Sequence, residues 1–356
     1  ANQFIKDGHQ VTIASYQQPL HDAAQLNLSD QCDLLNLSYP VLSIQNIKKL
    51  REYILTHQIE VLINQWAVPF YATLVWKIAT YGTNCQIYSV HHIPPDTNMR
   101  IQSLKRQIEL GKWYLKGMYG LVREVSRLSL AFCIKNSHKF ILLSSSFVPI
   151  AQKFSRVKHP TKFLAIPNPI PMPVSDEDVS KEKEIIYVGR IEYNQKRTDR
   201  VADIWKELEP LYPDWKLTIV GDGEDREDLQ KRIQEYGLKR VSITGFVDPI
   251  KYYQRASILL LTSEYEGFGL VVAEAMSHGV VPVVYNSFES AKDLVKNGYY
   301  GVLVEKPFSV SSFTRKAQEL MDKPSYLNEL SKNSRIVSAD YSIDKLANEW
   351  YQLMEN

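Results

Sequence analysis

One segment of the sequence combines two acidic residues with two glycines at a spacing that suits a sugar phosphate. It reads Ser263-Glu-Tyr-Glu-Gly-Phe-Gly-Leu-Val-Val-Ala-Glu-Ala-Met276 and follows a predicted strand. Gly267 and Gly269 let the backbone approach a ligand closely, and free N–H groups at the start of the helix predicted here favour an anion such as a diphosphate. Glu266 precedes that helix and Glu274 lies about one turn inside it, so we expect both carboxylates to face one cleft and to accept hydrogen bonds from sugar hydroxyls.

Two basic residues upstream can hold such an anion. Arg190 ends the run Tyr187-Val-Gly-Arg190, and Lys196 follows after a short loop. When a sugar leaves a nucleotide, negative charge grows on the diphosphate, and fixed cations in a cleft stabilise that charge. An arginine can bind two phosphate oxygens at once, whereas a lysine acts as a point charge. A pair of cations such as Arg190 and Lys196 can bind a diphosphate in this way.

The elements that must position these residues alternate between short strands and longer helical segments, which predicts βαβ units and parallel sheets. The length of 356 residues favours two such domains. The predicted strands are 10–14, 61–64, 86–90 and 140–144, then 185–188, 217–220, 241–244, 258–261 and 281–284. We predict an α/β fold with Rossmann-like domains at 1–172 and 173–338 and a C-terminal helix within 339–356.

The predicted connection between the domains is rich in proline. Ile166-Pro-Asn-Pro-Ile-Pro-Met-Pro173 has a proline at every second position, which neither a helix nor a sheet continues. At the start of the chain, residues 4–8 have the pattern of the end of a helix. A doubly wound domain normally opens with a strand and a glycine-rich turn before that helix. We therefore expect further residues upstream.

The string Glu266-Gly-Phe-Gly-Leu-x-x-x-Glu274-Ala resembles the signature of family 4 glycosyltransferases, which have the GT-B fold. The resemblance is close over residues 180–305 and looser in the N-terminal half. It implies two Rossmann-like domains facing each other across a cleft, the first for the acceptor and the second for the nucleotide-sugar donor, with the C-terminal helix crossing back to the first domain. It also implies that Glu266 contacts the donor sugar and that Glu274 holds the ribose of the nucleotide.

The resemblance extends the implied site to other motif positions. His91, in Ser89-Val-His-His92, matches a strand-end histidine near the reacting carbon and joins Arg190, Lys196 and Glu266 as an implied catalytic residue. The turn Val220-Gly-Asp-Gly223, after one predicted strand, is implied to border the nucleotide, and Gly245-Phe-Val247, after the next, to flank its base. A plain structural turn would explain either one alone. The implied donor-binding residues are Arg190, Lys196, Gly221, Asp222, Phe246, Val247, Glu266, Gly267, Phe268, Gly269, Leu270 and Glu274.

The resemblance implies a retaining glycosyltransferase of the hexosyltransferase type. It would move a sugar from a nucleotide-diphosphate sugar, such as a UDP-sugar, to a glycan, lipid-linked or other hydroxyl acceptor in bacterial surface polysaccharide biosynthesis. Two alternatives are a non-catalytic partner that still binds nucleotide sugar and an epimerase with the GT-B fold. Metal-dependent transfer on the GT-A fold would need an Asp-x-Asp at a strand end. Asp176-Glu-Asp178 lies in a polar linker without such a strand, so we expect neither a metal nor another cofactor.

A basic helical segment forms a second feature of the N-terminal half, where residues 1–174 contain 18 Lys and Arg against 9 Asp and Glu. Apolar residues recur at three- and four-residue steps between 101 and 132, which predicts one apolar helix face that Gly111 and Gly117 bend or break. Together with the basic residues of 100–162, this face can contact an anionic membrane surface. A helix packed on the core with a solvated basic face explains the same pattern equally well.

The composition limits the remaining possibilities. No stretch reaches the roughly 18 apolar residues of a membrane-spanning helix, and the first residues lack a secretion pattern. Cys32, Cys85 and Cys133 are widely spaced, which favours reduced thiols. The net charge of +2 and the lack of a recognised motif disfavour nucleic-acid binding. We predict a cytoplasmic protein that can lie on the inner face of the cell membrane.

Overall fold

The computed structural model describes residues 1–16, 28–170 and 180–355. The chain divides into two compact units, one formed by Ala1–Pro167 with Ile343–Asn356 and the other by Asn168–Ser342. The domain boundary expected after residue 172 and the motif Asp176-Glu-Asp178 both fall in 171–179, outside the described residues.

The N-terminal unit contains two parallel sheets, one with the order β1-β2 and one with the order β3-β4-β5-β6. Its strands are β1 (Thr12–Tyr16), β2 (Asp33–Leu37), β3 (Val61–Asn64), β4 (Gln86–His91), β5 (Lys139–Leu142) and β6 (Phe163–Ala165). Its helices are α1 (Asn2–Lys6), α2 (Ile44–Thr56), α3 (Phe70–Ala79), α4 (Met99–Glu109), α5 (Lys116–Asn136), α6 (Phe147–Ser155) and, from the end of the chain, α15 (Ile343–Glu355). The phenol of Tyr88 in β4 donates a hydrogen bond to the Leu353 carbonyl, 3.1 Å away, and this bond joins α15 to the sheet.

A cavity of about 440 Å³ lies between β1 and β3 and is lined by residues of both strands. Aromatic side chains from Tyr16, Tyr53 and Trp76 also border it. Among the described strands, none pairs with the facing edges of β1 and β3.

The C-terminal unit is one sheet of six parallel strands with helices around it. Its strands are β7 (Glu184–Val188), β8 (Lys216–Val220), β9 (Val241–Ile243), β10 (Ile258–Leu261), β11 (Val281–Tyr285) and β12 (Val302–Val304). Its helices are α7 (Thr198–Leu208), α8 (Arg226–Glu235), α9 (Ile250–Arg255), α10 (Leu270–Ser277), α11 (Ser290–Val295), α12 (Val310–Asp322), α13 (Pro324–Arg335) and α14 (Val337–Asp340). Strands β7, β10 and β11 are buried on both faces, as their near-continuous apolar sequences require.

The strand order β12-β11-β10-β7-β8-β9 is that of a doubly wound fold, in which the direction of winding reverses between β7 and β10. In open sheets of this kind, ligands bind beyond the carboxyl ends of the strands at the point of reversal. The loops that follow β7 and β10 are therefore the two best placed to hold a ligand.

The helical segment predicted at 101–132 is divided into two helices. Helix α4 ends at Glu109, a short 3-10 turn covers Trp113–Leu115, and α5 then continues to Asn136. Gly111 lies in the break with a φ of +95°, as predicted. The prediction for Gly117 is wrong, because this residue lies in the first turn of an unbroken α5. A glycine costs a helix only about 1 kcal/mol, and packing of the C-terminal part of α5 outweighs that cost.

Candidate functional site

An ion pair joins the loop after β7 to the loop after β10. Lys196 Nζ lies 2.7 Å from Glu266 Oε1, and the Ser263 hydroxyl donates a hydrogen bond of 2.7 Å to the same oxygen. No group in the described part of the chain bonds Glu266 Oε2. One carboxylate oxygen therefore fixes the side chain, and the other can accept a hydrogen bond from a ligand.

Further hydrogen bonds hold these two loops together and fix the position of Lys196. The backbone N–H of Glu264 donates to the Gln195 carbonyl at 2.7 Å, and the side-chain amide of Gln195 donates to the Tyr265 carbonyl at 3.2 Å. The Thr262 hydroxyl donates to the Lys196 carbonyl at 3.2 Å. A cation held in this way loses little conformational freedom when an anion binds.

Arg190 lies on the loop after β7 with an exposed side chain. Its backbone carbonyl accepts a 2.8 Å hydrogen bond from the buried Tyr187 phenol, which anchors the loop. Among the described residues, no carboxylate forms an ion pair with its guanidinium. Burial, followed by the charges of Glu192 and Glu266, raises the pKa of Tyr265 to about 12, and the charge of Arg190 opposes this rise. The charges of Arg190 and Glu266 thus both affect the Tyr265 phenol, which places the two residues near each other. Because no described carboxylate pairs with Arg190, its guanidinium remains available to bind an anion.

Glu274 lies inside α10 and is almost fully buried. The Tyr253 phenol donates a 3.0 Å hydrogen bond to its Oε2. Burial raises the pKa of Glu274, and the Tyr253 bond acts in the opposite direction. Within residues 180–355, no group bonds Glu274 Oε1, so this carboxylate also has one fixed oxygen and one available oxygen.

The start of α10 presents free backbone donors. Gly269 precedes the helix with a φ of +84°, a conformation that a residue with a side chain rarely adopts. The N–H groups of Gly267, Phe268, Gly269 and Leu270 donate no hydrogen bond to any described group. Free N–H groups at a helix start attract anions because the helix dipole points the same way. An anion can therefore bind on the sheet edge that carries Lys196 and Arg190.

The turns after β8 and β9 contain the other predicted residues of this unit. Gly221 forms an isolated bridge with Gly245, which joins the two turns. The Asp222 carboxylate accepts hydrogen bonds from Arg226 at 2.7 Å and from the backbone N–H of Gly223 at 2.8 Å, so both of its oxygens have internal partners. Phe246 is 94% exposed, and Val247 beside it is also exposed. These turns share the sheet edge with the loops after β7 and β10.

His91, the remaining predicted site residue, belongs to the N-terminal unit and ends β4. Its side chain is buried, and its Nε2 has no hydrogen-bond partner among the described residues. Burial, together with the neighbouring His92, lowers the pKa of His91 to about 4. The imidazole is therefore neutral at pH 7.

Replacing His91 with glutamine should reduce the acid sensitivity of the fold. The folded pKa of about 4 lies below the unfolded value of 6.5, so between these pH values only the unfolded chain binds the proton. Stability should then fall by on the order of 3 kcal/mol from pH 6.5 to pH 4, and the variant should lose less. Urea unfolding at pH 7 and pH 4.5 measures this difference, with His57→Gln on the surface as the control. Equal losses in the wild type and in His91→Gln would contradict the prediction.

Two residues that fix the acidic pair had no role predicted from the sequence. Ser263 lies within the quoted string, three residues before the carboxylate it bonds, and a serine at that place in a turn is a usable signal. Tyr253 lies 21 residues before Glu274, on a different helix. Only the fold brings that phenol to the carboxylate.

The candidate site of the C-terminal unit lies within a region that matches a known protein family. Residues 174–337 match the sequence model of the family described as Glycosyl transferases group 1. This part of the chain is therefore similar to group 1 glycosyltransferases. The matched range contains Arg190, Lys196, Glu266 and Glu274, together with the turns after β8 and β9. The family 4 resemblance noted from the sequence is thereby confirmed.

The chain is also similar to characterised and uncharacterised bacterial proteins. An uncharacterised glycosyltransferase of Haemophilus influenzae is 33% identical over 174 residues, which is 48% of each chain. A Campylobacter jejuni enzyme is 27% identical over 183 residues, which is 50% of each chain; its name describes an α-1,4-N-acetyl-D-galactosaminyltransferase acting on a diNAcBac-PP-undecaprenol-linked glycan. The match spans about half the length of these curated relatives.

A solved structure extends the likeness beyond residues 174–337. Anabaena HepE, solved in complex with UDP and glucose, superposes with a TM-score of 0.69 at 16% identity and covers 91% of this chain and 86% of that chain. A likeness at this identity shows the fold. The expected GT-B fold is confirmed.

Proposed function

We propose that this chain is a retaining glycosyltransferase that moves a sugar from a nucleotide-diphosphate sugar to a hydroxyl of a glycan or lipid-linked acceptor. The observation that carries the proposal is the Lys196–Glu266 ion pair at 2.7 Å, which joins the loops after β7 and β10 where the winding reverses. Arg190 and the free N–H groups before α10 lie on the same edge of the sheet. Two cations, free amides and two carboxylates suit a ligand that is both anionic and rich in hydroxyls.

In this proposal, each of these groups contacts a different part of the nucleotide-sugar donor. Glu266 Oε2 accepts a hydrogen bond from a sugar hydroxyl, while Ser263 and Lys196 keep the carboxylate in place. Glu274 Oε1 accepts hydrogen bonds from the ribose, with Tyr253 holding the other oxygen. The exposed ring of Phe246 lies beside the nucleobase. The UDP bound to HepE supports uridine as the base to test first.

The reaction follows from the charge that the departing group develops. As the bond between the sugar and the diphosphate breaks, negative charge grows on the phosphate oxygens. Arg190, Lys196 and the N–H groups of Gly269 and Leu270 stabilise that charge without reorganising. The acceptor hydroxyl then attacks the anomeric carbon from the face the diphosphate leaves, which retains the configuration, and its proton passes to the departing phosphate oxygen. These cations and amides supply the stabilisation, so the proposed reaction needs no metal.

The relatives support the class of acceptor. The Campylobacter jejuni enzyme is named for transfer to a glycan on a polyprenyl diphosphate. We extend this to a growing bacterial surface polysaccharide as the acceptor of the present chain. A non-catalytic partner would instead bind the nucleotide sugar without turnover. A binding assay together with a turnover assay therefore distinguishes the two functions.

A panel of nucleotides and nucleotide sugars tests the proposed function. UDP and UDP-sugars should raise the melting temperature, because a ligand at about 100 times its Kd stabilises the fold by about 2.7 kcal/mol. The cognate UDP-sugar should also release UDP when a polysaccharide or lipid-linked acceptor is added. Stabilisation without release would identify the non-catalytic partner. Absence of stabilisation by every nucleotide diphosphate and sugar would reject the proposal.

Glu274→Gln should weaken nucleotide binding more than it slows transfer. The glutamine keeps an acceptor for Tyr253 but loses the charge, and a hydrogen bond to a charged group contributes about 1.5–3 kcal/mol. The Kd for UDP, measured by calorimetry, should therefore rise roughly 10- to 100-fold. Glu235→Gln, an exposed change on α8, is the matched control and should leave the Kd unaltered. An unchanged Kd in Glu274→Gln would assign this carboxylate another role.

A further inference from the structure

Large apolar side chains are exposed along one continuous part of the N-terminal unit. Leu110, Trp113 and Tyr114 lie at the turn between α4 and α5, and Met118, Leu121, Val125 and Leu128 follow along α5. The exposed fractions of these side chains range from 48% to 74%. We call these seven residues the apolar ridge. Exposed apolar patches of this kind mark interaction surfaces.

The geometry of α5 shows why these side chains are not part of the core. The four residues on the helix are spaced by three, four and three positions, which places them on one face. All the buried residues of α5 lie from Ser129 onwards, so the part before it places no side chain in the core. A Cβ added at Gly117 or Gly120 would meet no atom within 4 Å, which shows open space along this part of the helix. The core contains Ile101 and Leu104 of α4 instead.

Positive charge borders the apolar ridge. Residues 99–128 contain seven Lys and Arg against two Glu. Lys105, Lys112, Lys116 and Arg123 have exposed side chains. Pairing of the ridge with the same surface on a second copy would bring these like charges together, which is unfavourable. An anionic partner with an apolar interior matches both properties of the surface.

We propose that the apolar ridge enters the interfacial region of an anionic bilayer, with the surrounding lysines and arginines contacting lipid phosphates. Tryptophan and tyrosine favour the level of the headgroups, where Trp113 and Tyr114 would lie. Each basic residue near an anionic leaflet adds about 1 kcal/mol of attraction. No helix among the described residues is long and apolar enough to cross a bilayer, so the contact is with one leaflet. This binding goes beyond the proposed sugar transfer, and neither depends on the other.

Flotation with vesicles of phosphatidylcholine alone and with added phosphatidylglycerol tests the proposal. The chain should float with the anionic vesicles at least about tenfold more than with the neutral ones at low salt. Leu121→Ser and Trp113→Ala should each reduce the partition coefficient roughly tenfold. Leu55→Ser is the matched control, because Leu55 is 54% exposed on α2 of the same unit, away from the apolar ridge. Melting temperatures equal to the wild type confirm that the variants are folded.

The charge component has its own variants. Lys112→Glu with Lys116→Glu should abolish the preference for anionic vesicles, whereas Lys48→Glu on α2 should not. Absence of flotation with either vesicle would overturn the proposal. Flotation unaffected by the ridge variants would also overturn it, because the apolar contact would then be absent. A dimer in light scattering that Leu121→Ser dissociates, without vesicle binding, would assign the surface to a second copy instead.

Discussion

Replacing Arg190 or Lys196 with alanine is expected to lower turnover by at least about 100-fold, because removing one group that stabilises charge in a transition state typically costs 10²–10³ in kcat. Both side chains lie where the diphosphate is proposed to develop charge, and Lys196 is fixed by Glu266 at 2.7 Å. Release of the nucleoside diphosphate from a saturating nucleotide sugar measures this effect. Arg190→Lys should recover only part of the rate, since a lysine cannot bind two phosphate oxygens in a fixed geometry.

The two variants need different controls. Lys196→Ala leaves the buried Glu266 carboxylate without its cation, so its melting temperature must be measured together with its rate. Arg190 is exposed and pairs with no described carboxylate, so its removal should leave stability unaltered. Lys231→Ala removes an exposed lysine on α8 and should retain the wild-type rate. Near-wild-type turnover in both Arg190→Ala and Lys196→Ala would remove the proposed phosphate role.

Gly221→Ala is expected to destabilise the C-terminal unit by roughly 3 kcal/mol or more. A Cβ at this position would lie 1.9 Å from the Gly189 carbonyl oxygen, and the residue has a φ of +151°. The atom that would clash belongs to the backbone of the loop carrying Arg190, so relief would require that loop to move. For a unit of this size, the loss corresponds to a fall in melting temperature of roughly 6–12 °C.

Gly120→Ala is the matched control for this prediction. Gly120 lies inside α5 with open space around it, so alanine should leave stability equal or raise it by up to about 1 kcal/mol. Thermal unfolding followed by circular dichroism compares the two variants. A melting temperature for Gly221→Ala within about 2 °C of the wild type would show that the loops after β7 and β8 can separate without cost.

Much of the C-terminal unit could be predicted from its sequence because its strands are short apolar runs, and several of them have a glycine next to them. The run 258–261 coincides with β10, and the runs at 185–188 and 217–220 lie within β7 and β8. Among the described strands, β2, β6 and β12 were not predicted. Asp33–Leu37 has polar residues at positions 33 and 36, which break both an apolar run and a strict alternation, and the other two strands have only three residues each. Short edge strands depend on pairing with a neighbour more than on their own sequence.

The candidate site was predictable where neighbouring residues in the chain define it, and less so where the fold does. The spacing of Glu266 and Glu274 can be read from the sequence, but the hydrogen bond from Tyr253 cannot. The apolar pattern at 101–132 was equally compatible with a core helix and a membrane surface. Periodicity shows that a face is apolar, but only the packing shows that Ile101 is buried while Val125 is exposed.

The central claim is that Arg190 and Lys196 hold the diphosphate of a nucleotide. Calorimetry with UDP and uridine 5′-monophosphate, on the wild type and on the Arg190→Ala/Lys196→Ala double variant, tests it most directly. The wild type should bind UDP at least about tenfold more tightly than the monophosphate, and the double variant should lose most of that preference while its monophosphate affinity changes little. An undiminished preference for UDP in a folded double variant would contradict the account.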